Sequence, residues 1–462
     1  MKKMMLAAVA AVAAASASAG GEQRFSGVKA AIAAFSSATN DAVRRSAYAY
    51  ARDYALEHAA ETPARDVLAQ MRAMARSLNS EGDFRSVCER LSESTNSMVR
   101  LSALMWLCDY ARELDAEKTT AFIDARLAKT ADDDVPVRAF LLCRRMDARR
   151  KLGDEAGVVA AAEDIVALGD DCPWSNYSQA RFALAEALMR KGEADAAETC
   201  LAALLERDEV ASQGTARRLL SLRVGKALQE RFVAAMREKI AAVPFGNAVL
   251  FKSRVQSGMP EIVELLVGMG RLDEALGECR VMLLTASSPQ SAYGNAVRQT
   301  ADVLKRLDGN LGRAFAFLES QKTNGVSSAA GLLPTGPALS DPVRAAEREK
   351  CLAFADANRS SWGALLDCAF RLLWADSAED SMRVAMAAFS CAPFSEKELQ
   401  ACADAVMHPV SVMTRDKAAV AAVRDYLLYG EAGRDGVRGS ADDVASPVDV
   451  YRSHAGKGAV AQ

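Results

Sequence analysis

The sequence predicts an all-α protein: an α-solenoid of stacked helical hairpins with a period of about 39 residues, followed by a smaller helical C-terminal region. Three observations predict it. Nearly every segment places apolar residues at i, i+3, i+4 and i+7 without sustained alternation, which is the period of a helix and not of a strand. These helical stretches, roughly 12–18 residues each, are separated by short breaks at Gly, Asp, Asn or Pro. Gly153, Gly192, Gly270 and Gly309 stand 39, 78 and 39 residues apart, and 78 is twice 39.

Composition bounds the rest. The 462 residues carry 57 Lys+Arg against 60 Asp+Glu, a net charge of −3. With no basic excess, nucleic acid is not expected as a partner. Half the residues are hydrophobic and a quarter charged, which excludes disorder for most of the chain. That length suits a few domains or one elongated array of repeats.

Residues 1–19 have the three parts of a secretory signal. Lys2 and Lys3 give the positive start, Met4 to Ala15 an apolar stretch, and Ala17-Ser18-Ala19 a small-residue cleavage pattern. The apolar stretch is too short to span a hydrocarbon core of ~30 Å. No Cys follows the cleavage pattern to accept a lipid, and no later uncharged apolar run is long enough to span. Cleavage after Ala19 and a periplasmic or secreted product, with no membrane span, are therefore expected.

Residues 20–94 hold degenerate helical pairs, expected as an N-terminal cap; the repeats fill 95–322. Two segments align closely: LAEALMRKGEADAAETCLAALLE at 184–206 and IVELLVGMGRLDEALGECRVMLL at 262–284. With Gly192 set on Gly270, Ala197 meets Ala275, Leu201 meets Cys279 and Leu205 meets Leu283, while Leu184 and Leu188 meet Ile262 and Leu266 before the turn. Ala314 and Leu318 repeat the offsets after Gly309, and Val158 replaces the small residue after Gly153. Stepping back from Gly153 by one period reaches Leu114, with Asp115 in a turn; stepping forward from Gly192 reaches Arg231, inside a long helical stretch with only partial agreement at Met236 and Ile240.

This pattern resembles the tetratricopeptide repeat, two antiparallel helices with a turn Gly and a small Ala where the second packs on the first. Armadillo/HEAT-like pairing, with periods of about 40–47 residues, is the alternative. In either case one hairpin cannot bury both faces, so neighbours stack into a continuous core.

The stretch TNGVSSAAGLLPTGPALSDP at 323–342 reads as a flexible loop, 343–429 as further helices, and the Gly/Asp-rich 430–462 as a disordered tail. Within that tail GRDGVRGSADDV places Asp435, Asp442 and Asp443 near glycines, yet lacks the spacing of a calcium loop; a solvated acidic tail is expected.

Chemistry leaves little trace. There is no G-x-S-x-G, Walker A, G-x-G-x-x-G or H-E-x-x-H motif. Of three His, His58 reads as a helical surface position, His408 as a helix end before Pro409, and His454 as tail. Trp106, Trp174, Trp362 and Trp374 fall at core spacing. Asp132-Asp133-Asp134 reads as a helix N-cap. The ten Cys show no zinc-ligand spacing and mostly occupy apolar helical positions, as buried thiols do. Export permits disulfides, and Cys351, Cys368, Cys391 and Cys402 form the densest group, with three possible pairings. No metal, cofactor or catalytic residue is assigned.

The leading expectation is an exported, non-enzymatic scaffold that binds a protein or peptide in the cell envelope. The alternative is an exported hydrolase of envelope polysaccharide or peptidoglycan on a helical scaffold. The tetratricopeptide resemblance implies a groove lined by first helices, with ligand-facing positions thirteen, ten, six, three and two residues before the turn Gly. Carried onto Gly153 these include Asp147, Arg150 and Lys151; onto Gly192, Gln179, Glu186 and Arg190; onto Gly309, Gln299 and Arg306. Gly270 breaks the pattern with Glu264, Val267 and Gly268. Recurrent Arg near the turn implies an acidic or carboxylate-ended partner.

Overall fold

The computed structural model describes residues 25–113, 115–207, 214–285, 290–308, 341–391 and 403–407, with 314, 316–317 and 333. The signal at 1–19, Leu114, the turn at Gly309, nearly all of the 323–342 loop, Cys402, His408, His454 and the 430–462 tail lie outside these residues. Every regular element among the described residues is helical. The chain divides into two compact units, Met1–Leu201 and Ala202–Gln462.

The first unit contains α1 (Val28–Ser37), α2 (Asp41–Glu57), α3 (Thr62–Ser77), α4 (Glu81–Leu91), α5 (Ser97–Ala111), α6 (Ala116–Leu127), α7 (Val135–Lys151), α8 (Glu155–Ala167), α9 (Trp174–Arg190) and the start of α10 (Ala194–Ala202). They pair as successive hairpins. First helices stack on first helices, α3 on α5, α5 on α7 and α7 on α9, while α6 and α8 fill the layer behind. Phe84, Leu68, Met71, Leu107, Ile123 and Leu141 belong to the apolar core between them.

The second unit begins with α11 (Thr215–Ser221), α12 (Lys226–Ala241), α13 (Ala248–Gly268) and α14 (Leu272–Thr285); α11 and α12 both pack on α13, which pairs with α14. After α15 (Gln290–Asp308) come α16 (Pro342–Ala357), α17 (Trp362–Trp374) and α18 (Ala378–Cys391). Helix α14 is buried from Ala275 to Thr285, because α13, α15 and α17 all pack on it. A helix covered on every side has no face left for a groove.

Among the described residues one turn recurs six times. Gly153, Gly192 and Gly270 have φ of 69°, 80° and 80°, and Asn79, Arg223 and Asp376 adopt the same left-handed region with φ of 53°, 54° and 58°. In each, the next amide reaches back to a carbonyl of the last helical turn: Asp154 to Arg149 (3.0 Å), Glu193 to Leu188 (3.0 Å), Arg271 to Leu266 (2.8 Å), Ser80 to Ala75 (2.8 Å), Val224 to Leu219 (3.4 Å) and Ser377 to Leu372 (2.8 Å). This is the Schellman closure, which satisfies carbonyls that the ending helix leaves open. Five residues on, Phe84, Val158, Ala197, Leu228, Ala275 and Ser381 are buried, and nine residues on so are Cys88, Ala162, Leu201, Phe232, Cys279 and Ala385. The hairpins are therefore tetratricopeptide-like in turn and packing.

Arg231 falls within a helix, as its surroundings in the sequence read. It lies inside α12, and the turn before that helix is at Arg223, 31 residues after Gly192 and 47 before Gly270. The doubled period survives as a sum because a step shortened by α11, 7 residues long, is followed by one lengthened by α13, 21 residues long. Met236 and Ile240 matched because the error is eight residues, close to two helical turns. Asp115 caps α6, accepting from the Lys118 amide. Asp134 stands at the N-cap of α7 but caps no amide; its carboxylate instead accepts from Ser97 Oγ (2.6 Å) and Arg100 Nε (2.7 Å), tying α5 to the start of α7.

Trp374 is fully buried, whereas Trp106, Trp174 and Trp362 are half-buried. His58 is the C-cap of α2, its ring 4.2 Å from that of Tyr54 and its Nδ1 3.3 Å from Glu61.

Candidate binding groove

The site is built where the third and fourth hairpins of the first unit meet. α5 ends in Arg112, which its Cys108 carbonyl fixes through the Arg112 amide. α6 starts at Ala116, and α7 brings Arg144, Asp147, Ala148 and Lys151 along one stripe at helical spacing. Together Cys108, Arg112, Ala116, Thr119, Ile123, Arg144, Asp147, Ala148 and Lys151 line a cleft of about 40 Å³. Its floor is apolar and small, and its rim sets Arg112, Arg144 and Lys151 against the single carboxylate of Asp147. Thr119 turns its hydroxyl away, donating to the Ala111 carbonyl (2.7 Å).

Asp147 lies 3.9 Å from Arg144 and 3.7 Å from Arg150. Arg150 in turn stands 3.8 Å from Glu186 of α9. Asp147, Arg150, Lys151 and Glu186 thus gather on the first-helix face of two stacked hairpins. Gln179 is exposed on the same α9. Arg190 turns to Glu155 at the start of α8, 3.5 Å away. Gln299 and Arg306 belong to the second unit. Gln299 is half-buried and donates to the Pro260 carbonyl (3.3 Å), a packing contact between α13 and α15, while Arg306 is exposed. Gly268 is pressed on Leu220, with which any Cβ would collide, so that stretch of α13 packs on α11.

Arg112 and Arg144 did not come from the sequence. The signal for Arg112 was present: it sits two residues before Leu114, at the offset used elsewhere. Arg144 falls on no such offset and is placed by its guanidinium lying 5.0 Å from the Phe140 ring.

Two wider pockets have different chemistry. One of about 280 Å³ is lined by Ser92, Glu93, Arg100, Arg126 and Lys129, among others. Another, about 560 Å³, has Arg348, Glu349, Ser377, Glu379 and Asp380 on its walls. Partial burial pushes the Asp380 carboxyl up, but bonds from Ser377 and Arg348 and the charge of Arg383 outweigh it and hold it below the usual range. A carboxyl held low is the reverse of a proton donor. In the groove, burial pushes the Cys108 thiol up to about 12, so it stays protonated and a poor nucleophile. Among the described residues no group of three or more His, Cys, Asp or Glu is placed to hold a metal ion, and no helix is long and apolar enough to cross a membrane.

No family model matches the chain, and no curated protein matches it. Among solved structures it is similar to the TPR domain of P58(IPK), at 10% identity over 84% of this chain and 98% of that one, with a TM-score of 0.17. At that score the likeness carries no argument, and the hairpin assignment rests on the six turns.

Proposed function

We propose that the protein is an exported, non-catalytic helical-repeat scaffold that holds an acidic or carboxylate-ended segment of a protein partner in the groove of its first unit. The observation that carries this reading is the cleft whose rim sets three cations, Arg112, Arg144 and Lys151, against one carboxylate. A partner carboxylate entering there replaces water around cations already gathered by the fold, so little reorganisation opposes binding. Arg150 and Glu186, paired along the adjoining face, extend the surface with alternating charge. Export is carried by the signal at residues 1–19.

The test compares affinity capture by the wild type and by an Arg112→Glu, Lys151→Glu variant from the compartment to which the chain is exported. Both side chains are exposed, so the variant is expected to unfold at the wild-type temperature while losing at least tenfold of the captured partner. Equal capture by a folded double variant removes the groove from the function. Mass spectrometry of the same preparation checks export separately, since the processed chain is expected to begin at Gly20 and a chain retaining Met1 contradicts it.

A further inference from the structure

The ends of α4 and α6 meet α5 around the pocket of about 280 Å³. Ser92 and Glu93 follow α4, Arg100 and Leu104 come from α5, and Arg126 and Lys129 stand in and just past the last turn of α6. The cationic cleft lies at the other end of α6, against Ala116 and Thr119, and shares no lining residue with this pocket.

The pocket's cations are not equally engaged. Arg100 is paired with Asp134 and donates to the Ser94 carbonyl, so its charge is spent within the fold. Arg126 Nη1 donates to the buried Ser92 Oγ (3.1 Å), whose own proton goes to the Glu89 carbonyl (2.6 Å). The Arg126 guanidinium also lies 5.4 Å from the Phe122 ring. Hydroxyl and ring orient that guanidinium without neutralising it. Among the described residues no carboxylate forms an ion pair with Arg126 or Lys129. Glu93, exposed on the rim, supplies the opposing charge.

We infer that this pocket binds a tetrahedral oxyanion, phosphate or sulfate, either free or as the ester of a small molecule. Arg126 commits Nη1 to Ser92 and keeps its Nε and Nη2 edge for two oxygens, the paired geometry in which a guanidinium holds an oxyanion. Lys129 stands three residues on, a neighbour on the same helical surface, and offers a point charge to a third oxygen. A carboxylate has no third oxygen. Two uncompensated cations also suit the charge of about −2 on a phosphate monoester better than the single charge of a carboxylate. The volume is just under the roughly 300–1,000 Å³ of ordinary small-molecule pockets. It admits the anion with a small organic body, which the apolar Leu104 side chain would meet.

The test titrates the full chain by calorimetry, at constant ionic strength in chloride, with inorganic phosphate, inorganic sulfate, glycerol 3-phosphate and acetate. Direct binding is measured because sulfate and phosphate raise thermal midpoints of any protein by exclusion from its surface. One-to-one binding of phosphate or sulfate is expected, about tenfold or more tighter than that of acetate. Lys129→Gln alters an exposed side chain, so it is expected to keep the wild-type midpoint in chloride and to weaken the anion about tenfold. Glu93→Gln, which removes the opposing charge, is expected to tighten it. The Arg112→Glu, Lys151→Glu variant is expected to bind the anion as the wild type does, which separates this site from the groove. Tighter binding of glycerol 3-phosphate than of inorganic phosphate assigns the site to an ester, and the reverse order to the free ion. Acetate bound as tightly as phosphate and sulfate overturns the proposal. So do a folded Lys129→Gln variant that binds as the wild type does, binding lost with Arg112 and Lys151, or no saturation of the wild type by about 10 mM anion, where a site of ~1 mM would be filled.

Discussion

Arg371 is fully buried, and its guanidinium is held by Glu347 (3.0 Å), Asp367 (3.4 Å) and the Pro244 carbonyl (2.8 Å). Arg344 is equally buried, joined to Glu278 and to the Trp374 carbonyl, and Arg237 bonds Glu274, Glu278 and Asp341. These side chains tie α16 and α17 to α12 and α14. Removing one member leaves the others charged and dry, so Arg371→Met is expected to cost about 3–5 kcal/mol in urea unfolding. Glu261 gives a pH-dependent case. Burial pushes its carboxyl above the usual range, against the pull of the Ala216 and Gly214 amides that it accepts. A carboxyl raised on folding favours the folded state fully below its unfolded value, near 4.3, and loses that contribution as pH rises through the folded value. The stability advantage of the wild type over Glu261→Gln is therefore expected to shrink as pH rises above about 4.3. An advantage that grows with pH contradicts the assignment.

At the scale of the element, the hairpin turn was legible only where a glycine marks it. Gly153, Gly192 and Gly270 announce themselves because glycine enters the left-handed region without strain. Asn79 and Asp376 adopt the same backbone, which Asn and Asp tolerate better than other side chains. Arg223 does so with nothing in the sequence to flag it, so the 39-residue step passed over that turn and landed at Arg231 within a helix. Helical periodicity, by contrast, was readable throughout, because a buried stripe needs only apolar residues at the right spacing. Gly192→Ala is expected to destabilise the first unit by about 1–2 kcal/mol, from left-handed strain alone, since no atom would obstruct the new methyl. Ala197→Leu, on a fully buried position, is expected to overpack the same hairpin by about 1–3 kcal/mol. Both are checked by chemical denaturation.

At the scale of the whole molecule, one set of offsets meant different things in the two units. In the first unit it led to Asp147, Lys151, Arg150 and Glu186, which share a surface beside the cleft. In the second it led to Gln299, spent on packing against Pro260, and the hairpin at Gly270 is buried by later helices. Local spacing could not show this, because the helices that cover α14 come from as far along the chain as α17. The proposed function therefore draws on the first unit and its cationic cleft. The most direct test places a photo-crosslinking residue at Ala116, on the cleft wall, and maps the adducts formed in the exporting cell by mass spectrometry. The account predicts adducts on one partner's acidic or C-terminal segment, lost when Arg112 and Lys151 are changed to Glu. Adducts that persist unchanged in that folded variant, or none formed by the wild type, would contradict it.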